Sequence, residues 1–425
     1  MTDVIETVSA KSDSDPANRP ATSKRAAKRE AILAIGAELM NRLGPGGVRL
    51  GDVASKLGLS RNALYYYVRD RQALAFQCYR QTCSFIDSVI ARHRASSAAP
   101  DESVRAIICD LLTAREEPFA VISDAAILAP DESAIIRTAM QDNVASLSHL
   151  LADGIARRHF RPVDPDLVSR MILGMANWAI LWRSWTAPDG KVTRESLEEA
   201  AAAIAQTVIF GSAVGPAQAF EPARETSDQL VAILKPAAYD GTNLVPARLI
   251  ASASLLFNRY GPESVTLDEV AAYAEVTKGA IYHHFADKRD LVMACYERAF
   301  KLQDAIIDLA DASEDSAFRK LLAMFYFNSY AHAGMAPPLA LNPGLLRLPD
   351  KFLRDASELV RRMREAYHAA STDGSLRAVD PSIVELTAGS FFWMQTWRLE
   401  RPDLSDAAIA KSMTAIINEG ISAAK

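Results

Sequence analysis

The stretch Thr277-Lys-Gly-Ala-Ile-Tyr-His-His284 decides how this 425-residue chain is built, because Ser60-Arg-Asn-Ala-Leu-Tyr-Tyr-Tyr67 repeats its pattern. Each copy opens on a hydroxyl residue, which can cap a helix by accepting from a free backbone amide. Upstream, Thr266-Leu-Asp-Glu269 has the form of a capping box, with the threonine hydroxyl and the glutamate carboxylate each satisfying an orphan amide. About six helical residues follow before Glu275-Val276, or Gly58-Leu59 in the earlier copy, breaks the run. A preceding helix ends at Gly44-Pro45 or Gly261-Pro262, because proline cannot continue the helical ladder. Two short helices joined by so tight a turn form a helix-turn-helix head.

The repetition extends well beyond these segments. Asn41-Arg-Leu-Gly-Pro45 recurs as Asn258-Arg-Tyr-Gly-Pro262, Asp52-Val-Ala54 as Glu269-Val-Ala271, and Cys78-Tyr79 as Cys295-Tyr296, always 217 positions apart. A looser echo returns Val163-Asp-Pro165 as Val379-Asp-Pro381, and Gly174-Met-Ala-Asn-Trp178 with Trp182 as Gly389-Ser-Phe-Phe-Trp393 with Trp397. The chain is one architecture written twice. Helical spacing dominates both copies, as in Ile32, Ile35, Leu39 and Leu43, or Leu249, Ala253, Leu256 and Tyr260, and alternating strand patterns are nearly absent. The expected fold is all-α. A polar tail over 1–23 precedes a head at 24–75 and a helical body at 76–212. A proline-bearing linker at 213–245 leads to a second head at 246–292 and a second body at 293–425.

Composition narrows the function classes. With 49% hydrophobic and 23% charged residues, the chain has apolar material for more than one core. The four cysteines, Cys78, Cys83, Cys109 and Cys295, are scattered, with no CxxC pair or clustered histidines, so neither a disulfide framework nor a metal site is expected. The apolar run Met171 to Trp182 is too short to span a bilayer, which needs about 18 residues or more, and the first twenty residues lack a signal-like apolar core. An intracellular, cytoplasmic protein is expected. No nucleophile elbow, phosphate loop, dinucleotide-binding glycine cluster or metal-ligand spacing points to an enzyme. Acid pairs such as Asp101-Glu102 are adjacent in sequence and so face different sides of a helix. No cofactor is expected.

The net charge of −5 is unevenly spread. Between Lys24 and Arg71 ten cations face four acids, a local +6 that leaves −11 for the rest. A basic head on an acidic body points to nucleic acid; a solvated helix face is the plainer alternative. The third helix of each head carries suitable chemistry. Ser60, Arg61, Asn62 and Ala63, or Thr277, Lys278, Gly279 and Ala280, place a hydroxyl, a polar or charged group and small residues at a helix N-terminus, which suits entry into a major groove. Tyr65, Tyr66 and Tyr67, or Tyr282, His283 and His284, with Arg71 or Lys288 one turn beyond, can anchor phosphates, as can Arg49 and Thr266 at the preceding helix start. The alternative for Tyr67 and His284 is packing of the head onto the next helix.

At these residues the sequence resembles the TetR/AcrR-type transcriptional regulators. Val265-Thr-Leu-Asp-Glu-Val-Ala271, Ala280-Ile-Tyr-His-His-Phe285 and Asp287-Lys288 carry the resemblance; Ala63-Leu-Tyr-Tyr-Tyr-Val68 with Asp70-Arg71 is a looser version. It implies two tandem all-helical units, each a DNA-binding head on a ligand-binding and dimerisation body, released from operator DNA by a small molecule. The first head departs at Val68, where the family commonly has an aromatic, and at Arg71 for the usual lysine. The second departs in charge, with a net −1 over Pro246 to Asp290. The two heads are expected to be unequal on DNA, because non-specific attraction comes from phosphate neutralisation.

In the resembled family the last two helices of each body form a four-helix dimer bundle. The matching stretches here are 165–187 with 194–212, and 381–399 with 404–422, where the small residues Ala200–Ala203 and Ala407–Ala410 allow close approach. A linker of about 30 residues reaches far enough for the copies to pair within one chain at millimolar effective concentration, with a homodimer of chains as the alternative. The aromatic residues Trp178, Trp182, Phe325, Tyr326, Tyr330, Trp393 and Trp397 either wall a pocket for a small hydrophobic or aromatic effector or serve as plain core and interface. Pro337-Pro338 and Pro343-Gly344 suit a loop at such a pocket's mouth, and His332 reads as a satisfied interior or rim histidine. The expected function is a ligand-responsive transcriptional repressor acting through double-stranded operator DNA; the alternative is a helical interaction scaffold whose heads no longer bind DNA.

Overall fold

Six buried positions of the first head, Ile32, Leu39, Val53, Leu64, Leu74 and Tyr79, reappear as Leu249, Leu256, Val270, Ile281, Leu291 and Tyr296 of the second. Each pair is 217 apart. The computed structural model describes residues 21–113, 119–185, 194–214, 217, 219–235, 244–342, 345, 348–377 and 380–423. The tail at 1–20, the loop residues Pro343-Gly344, the linker residues Pro216 and Pro236, and Val379 of the Val-Asp-Pro echo lie outside the described residues.

The first copy comprises α1 (Ala21–Leu43), α2 (Leu50–Lys56), α3 (Arg61–Tyr65), α4 (Arg71–Arg94), α5 (Pro100–Thr113), α6 (Pro130–Ala156), α7 (Pro165–Trp185) and α8 (Arg194–Phe210). After α9 (Arg224–Leu234), the second copy runs α10 (Val245–Tyr260), α11 (Leu267–Tyr273), α12 (Lys278–His284), α13 (Lys288–Ser313), α14 (Ala317–Ala333) and α15 (Asp350–Thr372). It ends with α16 (Ile383–Leu386), α17 (Gly389–Phe392), α18 (Met394–Trp397) and α19 (Asp406–Glu419). Among the described residues there is no strand, only two isolated bridges, Phe160 with Ser422 and Ala213 with Leu376. The fold is all-α.

Polar contacts repeat along with the core. Asn41 donates to Phe119 O at 2.9 Å and accepts from Val121 N at 2.8 Å, so it ties the end of α1 to the loop after α5. Asn258 does the same with Pro338 O at 2.8 Å and Ala340 N at 3.0 Å. Cys78 and Cys295 each lie 3.6 Å from a carbonyl of the first head helix, Leu33 O and Ile250 O. Burial pushes both thiols up to about 12, which suits core residues rather than reactive ones. In the first helix of each head Ile32, Leu39, Leu249, Ala253 and Leu256 are buried as expected, Ile35 and Leu43 are half-buried, and Tyr260, at the end of its helix, is exposed.

Two stretches differ from the sequence reading. Within 213–245, expected as plain linker, lies α9; its Leu230 is buried with Phe220, Ile306 and Phe327, because an apolar stripe on an otherwise polar segment gains by docking on the second body. The expected helix over 381–399 is broken into α16, α17 and α18. Here Ala388 N, Ser390 N and Phe391 N donate to Glu385 O, Thr387 O and Ala388 O, three residues back, and the Thr387 and Ser390 hydroxyls take the Val384 and Thr387 carbonyls. Such side-chain back-bonding competes with the α-helical ladder, and Gly389 adds backbone freedom.

The two halves pack along a seam of α7 and α8 against α16, α17 and α19. Gly174 and Gly389 cross at its centre, where a Cβ on Gly174 would lie 2.5 Å from Gly389 O and one on Gly389 2.7 Å from Gly174 O. Trp178 Nε1 donates to Glu385 O at 2.8 Å and Trp182 Nε1 to Glu385 Oε2 at 2.6 Å. Arg401 reaches across to Asp164 at 2.7 Å and Asp166 at 2.9 Å. The C-terminal turn closes the far end, with Ile421 N donating to Val208 O at 3.0 Å and Ser422 N to Ile209 O at 2.7 Å.

The heads also meet. A Cβ on Gly46 would fall 2.5 Å from Glu263 Cγ. Asp124, in the loop before α6, accepts from the Ser264 hydroxyl at 2.7 Å and is only 2% exposed, with Oδ2 unpartnered among the described residues. Burial raises its carboxyl to about 6, against the hydrogen bond from Ser264.

Two outcomes follow from this packing. Gly389→Ala is expected to lower the unfolding free energy by about 1–3 kcal/mol in chemical denaturation, since the added methyl meets backbone that has no room to give. The folded-state pKa of Asp124 lies above its unfolded value of 3.8, so the folded state holds the proton more tightly and stability falls as pH rises from about 4 to 6. Asp124→Asn removes that dependence. The wild-type stability relative to this variant should drop by about 2–3 kcal/mol across the window; a constant difference would show that Asp124 does not titrate there.

Candidate nucleic-acid interface

The third helices of the two heads, α3 and α12, are set by the same local chemistry. Ser60 Oγ accepts from Ala63 N and Thr277 Oγ from Ala280 N, each at 3.2 Å, so the leading hydroxyls serve as N-caps. Leu64 and Ile281 anchor the inner faces, at 1% and 0% exposure. The turn before each helix needs a left-handed residue, Gly58 at φ 62° in the first head and Glu275 at φ 55° in the second. Ahead of it, Thr266 and Glu269 form the capping box on α11, whereas Arg49 starts α2 without a side-chain cap.

With the inner faces anchored, the outer ones are exposed. Arg61, Asn62, Tyr65 and Tyr66 are exposed on α3 and its end, as are Thr277, Lys278, Gly279, Tyr282 and His283 on α12; Arg49 and Thr266 are exposed beside them. Ala63, Tyr67, Ala280 and His284 are half-buried. Tyr66 meets Tyr67 edge-on at 5.5 Å and His283 meets His284 at 5.0 Å. The Arg25 guanidinium, from α1, lies 4.9 Å over the Tyr66 ring.

Arg71 and Lys288 already hold protein groups. Arg71 donates to Gly46 O at 2.5 Å, and Lys288 to Glu263 O at 2.9 Å and Val265 O at 3.2 Å. Each pins the loop after the first head helix to the start of the fourth. Asp70 and Asp287 cap those fourth helices, accepting from Ala73 N at 2.8 Å and Asp290 N at 2.9 Å.

The aromatic residues disperse. A mostly apolar pocket lies in the second body beside the seam, lined by Phe318, Leu321, Phe325, Asn328, Phe391 and others. Of the seven residues singled out in the sequence, Phe325 is the one that lines it. Trp178 and Trp182 sit in the seam as donors to Glu385, and Trp397 is buried there beneath the Arg170 guanidinium, 5.1 Å from its ring. Tyr326 packs on Phe220 at 5.8 Å under the docked linker, with Tyr330 alongside. Trp393 instead lines a second pocket where the heads meet, together with Asp124 and Glu263. His332 is interior but not satisfied. It is 1% exposed and stacked 5.0 Å from Phe391, neither ring nitrogen has a hydrogen-bond partner among the described residues, and burial lowers its pKa to about 3.

Neither Asp124 nor Glu385 announces itself in the sequence, since the Ser264 and Trp182 side chains that bond to them lie more than a hundred residues away. Among the described residues no group of three or more His, Cys, Asp or Glu side chains can hold a metal ion, and no helix is long and apolar enough to cross a membrane.

Comparison with known proteins bears on these same regions. Residues 249–295, in the second head, match the family model described as bacterial regulatory proteins, tetR family; residues 101–209, in the first body, match a tetracyclin repressor-like C-terminal domain. The chain is similar to the Transposon Tn10 TetC protein of Escherichia coli, 46% identical over 59 residues, 14% of this chain and 30% of that protein. It is also similar to the HTH-type transcriptional repressor BepR of Brucella suis biovar 1 (strain 1330), 41% identical over 59 residues, 14% of this chain and 28% of that protein. The chain thus spans under a third of the length of these curated relatives. Among solved structures, AibR in complex with isovaleryl coenzyme A and operator DNA aligns with 40% of this chain and 94% of its own, at 25% identity and a TM-score of 0.34. The second head is thus similar to the DNA-binding domain, and the first body to the C-terminal domain, of bacterial regulatory proteins of the tetR family.

Proposed function

We propose that the protein is a ligand-responsive repressor that binds operator DNA through both heads, as an intramolecular pseudo-dimer. One observation carries the reading. The leading ends of α3 and α12, with Arg61, Asn62, Lys278 and Gly279, are exposed, while the residues that hold those helices in place are buried. That disposition presents a helix N-terminus bearing a positive side chain at the surface, where it can meet a major groove. Arg49, Tyr65, Tyr66, Tyr67 and Arg71 on one head, and Thr266, Tyr282, His283, His284 and Lys288 on the other, flank those ends as phosphate anchors that set register. Arg71 and Lys288 do so from positions already fixed by loop carbonyls.

The contacts between the halves support pairing within one chain, since α7 and α8 meet α16 to α19 where dimeric relatives would meet a second copy. Repression by steric blocking needs no contact with polymerase. The pocket beside α14 and α17 has the mostly apolar lining expected of a hydrophobic or aromatic effector site, with Asn328, Ser212 and Thr387 among its polar groups. It abuts the seam, so an occupant would bear on the packing that spaces the heads. A cytoplasmic location accords with this role.

Selection of DNA from a random pool by the purified protein, together with its mass in solution, tests the reading. The expected result is an imperfect palindrome with unlike halves, bound by one chain, because Ser60-Arg-Asn-Ala63 and Thr277-Lys-Gly-Ala280 would not read the same bases. A perfect inverted repeat bound by two chains would refute the intramolecular pair, and failure to bind any duplex would favour the scaffold. Arg61→Ala should cost roughly 1–3 kcal/mol of operator affinity if it reads a base. An apolar aromatic ligand at one hundred times its Kd should stabilise the protein by about 2.7 kcal/mol, and Leu321→Trp, which fills the cavity, should abolish that gain.

A further inference from the structure

Because the two heads share one register, a surface position at which they differ can be compared like for like. The most consequential is 51 against 268. In α11, Asp268 Oδ2 accepts from Lys278 Nζ at 2.5 Å, and this pairing raises the lysine's pKa. In α2 the matching residue is Gly51. Arg61, the match of Lys278, lies against it with its guanidinium 3.2 Å from where a Cβ would stand. Among the described residues no acid pairs with Arg61. The difference is compounded at the N-terminus, where α1 begins at Ala21 whereas α10 begins at Val245, the match of Lys28. The extra turns bring Lys24 and Arg25 to the first head, and Arg25 reaches its reading helix at Tyr66.

We propose that Asp268 is a specificity-determining residue that withholds Lys278 from DNA phosphates, so the first head supplies the electrostatic hold and the second engages only where its base contacts compensate. The inference rests on the reading that the heads bind DNA. A lysine already paired with a carboxylate displaces fewer counterions on meeting a phosphate, and the carboxylate itself repels the backbone, so the sequence-independent part of binding is weakened at this head. The restraint is mild, since an exposed pair of this kind is worth no more than about fivefold in an equilibrium constant. A good set of base contacts overcomes it and a poor set does not, which sharpens discrimination.

The test is the salt dependence of binding by the full chain, measured by fluorescence anisotropy on the selected duplex and on a random one. Asp268→Gly should tighten binding to the random duplex, steepen its log–log salt slope by about one, and lower the ratio of specific to random affinity. Asp268→Asn keeps the shape of the side chain without its charge and should move the slope in the same direction, so a folding defect in the glycine variant cannot hide the effect. Lys278→Ala should change the wild-type slope little but erase the gain in the Asp268→Gly background. Unchanged slopes for both Asp268 variants, with wild-type melting, would overturn the inference and leave DNA binding standing. A wild-type chain that binds neither duplex would overturn the DNA reading and the inference with it.

Discussion

The placement of one half against the other depends on a crossing that tolerates no side chain. Gly174 and Gly389 bring α7 and α17 so close that a methyl on either would strike the other's carbonyl. Around that point the seam is closed by groups that must find partners once water is excluded. The Glu385 carboxylate, 3% exposed, accepts from the Trp182 indole at 2.6 Å and from Arg364 Nε at 2.5 Å, while its carbonyl accepts from Trp178. A carboxylate in such surroundings is tolerable only because donors replace the lost hydration. The two indole donors also fix the rotation of α16 against α7, which a purely apolar seam would not specify.

The seam repeats its geometry but not its charge. Arg170 and Glu385 occupy matched positions, 215 apart in the looser register of the bodies, as do Trp182 and Trp397. On one side an indole donates to the acid; on the other the guanidinium lies over the indole face, 5.1 Å from its centre, and pairs with Glu400 at 2.9 Å. Both arrangements suit a tryptophan, whose N–H edge is positive and whose face is negative. Cross-seam pairing of Arg401 with Asp164 and Asp166 adds a charge match in a single direction.

Much of the fold was legible because its signals are local. The capping box at Thr266, the glycine–proline stops at Gly44 and Gly261 and the 3.6-residue apolar period need no knowledge of distant partners, and the 217-residue offset carries them from one head to the other. Arg61 and Lys278 open their helices directly after the turn and are exposed there, while Leu64 and Ile281 one turn on are buried. What the sequence hid is tertiary. The tryptophan pairs read as core and interface or as pocket wall until Glu385, about two hundred residues away, drew the first pair to itself. The break in the helix over 381–399 turned on which carbonyls the Thr387 and Ser390 hydroxyls took, and α9 was obscured by prolines on either side of its apolar stripe.

The inequality of the heads and the asymmetry of the seam have one physical origin. In a symmetric dimer every substitution appears twice, so a residue near the axis meets its own copy and must suit itself. The matched positions 46 and 263 show what is gained when that constraint is lifted. Glycine at 46 leaves room for the Glu263 side chain, whose Cγ approaches to 2.5 Å of where a Cβ would be. Two glutamates there would set like charges together in a partly buried junction beside Asp124, and two glycines would leave a gap. Only unlike copies fill the space without repulsion. The same freedom lets one reading helix keep a bare arginine over Gly51 while its twin carries a lysine tethered to Asp268.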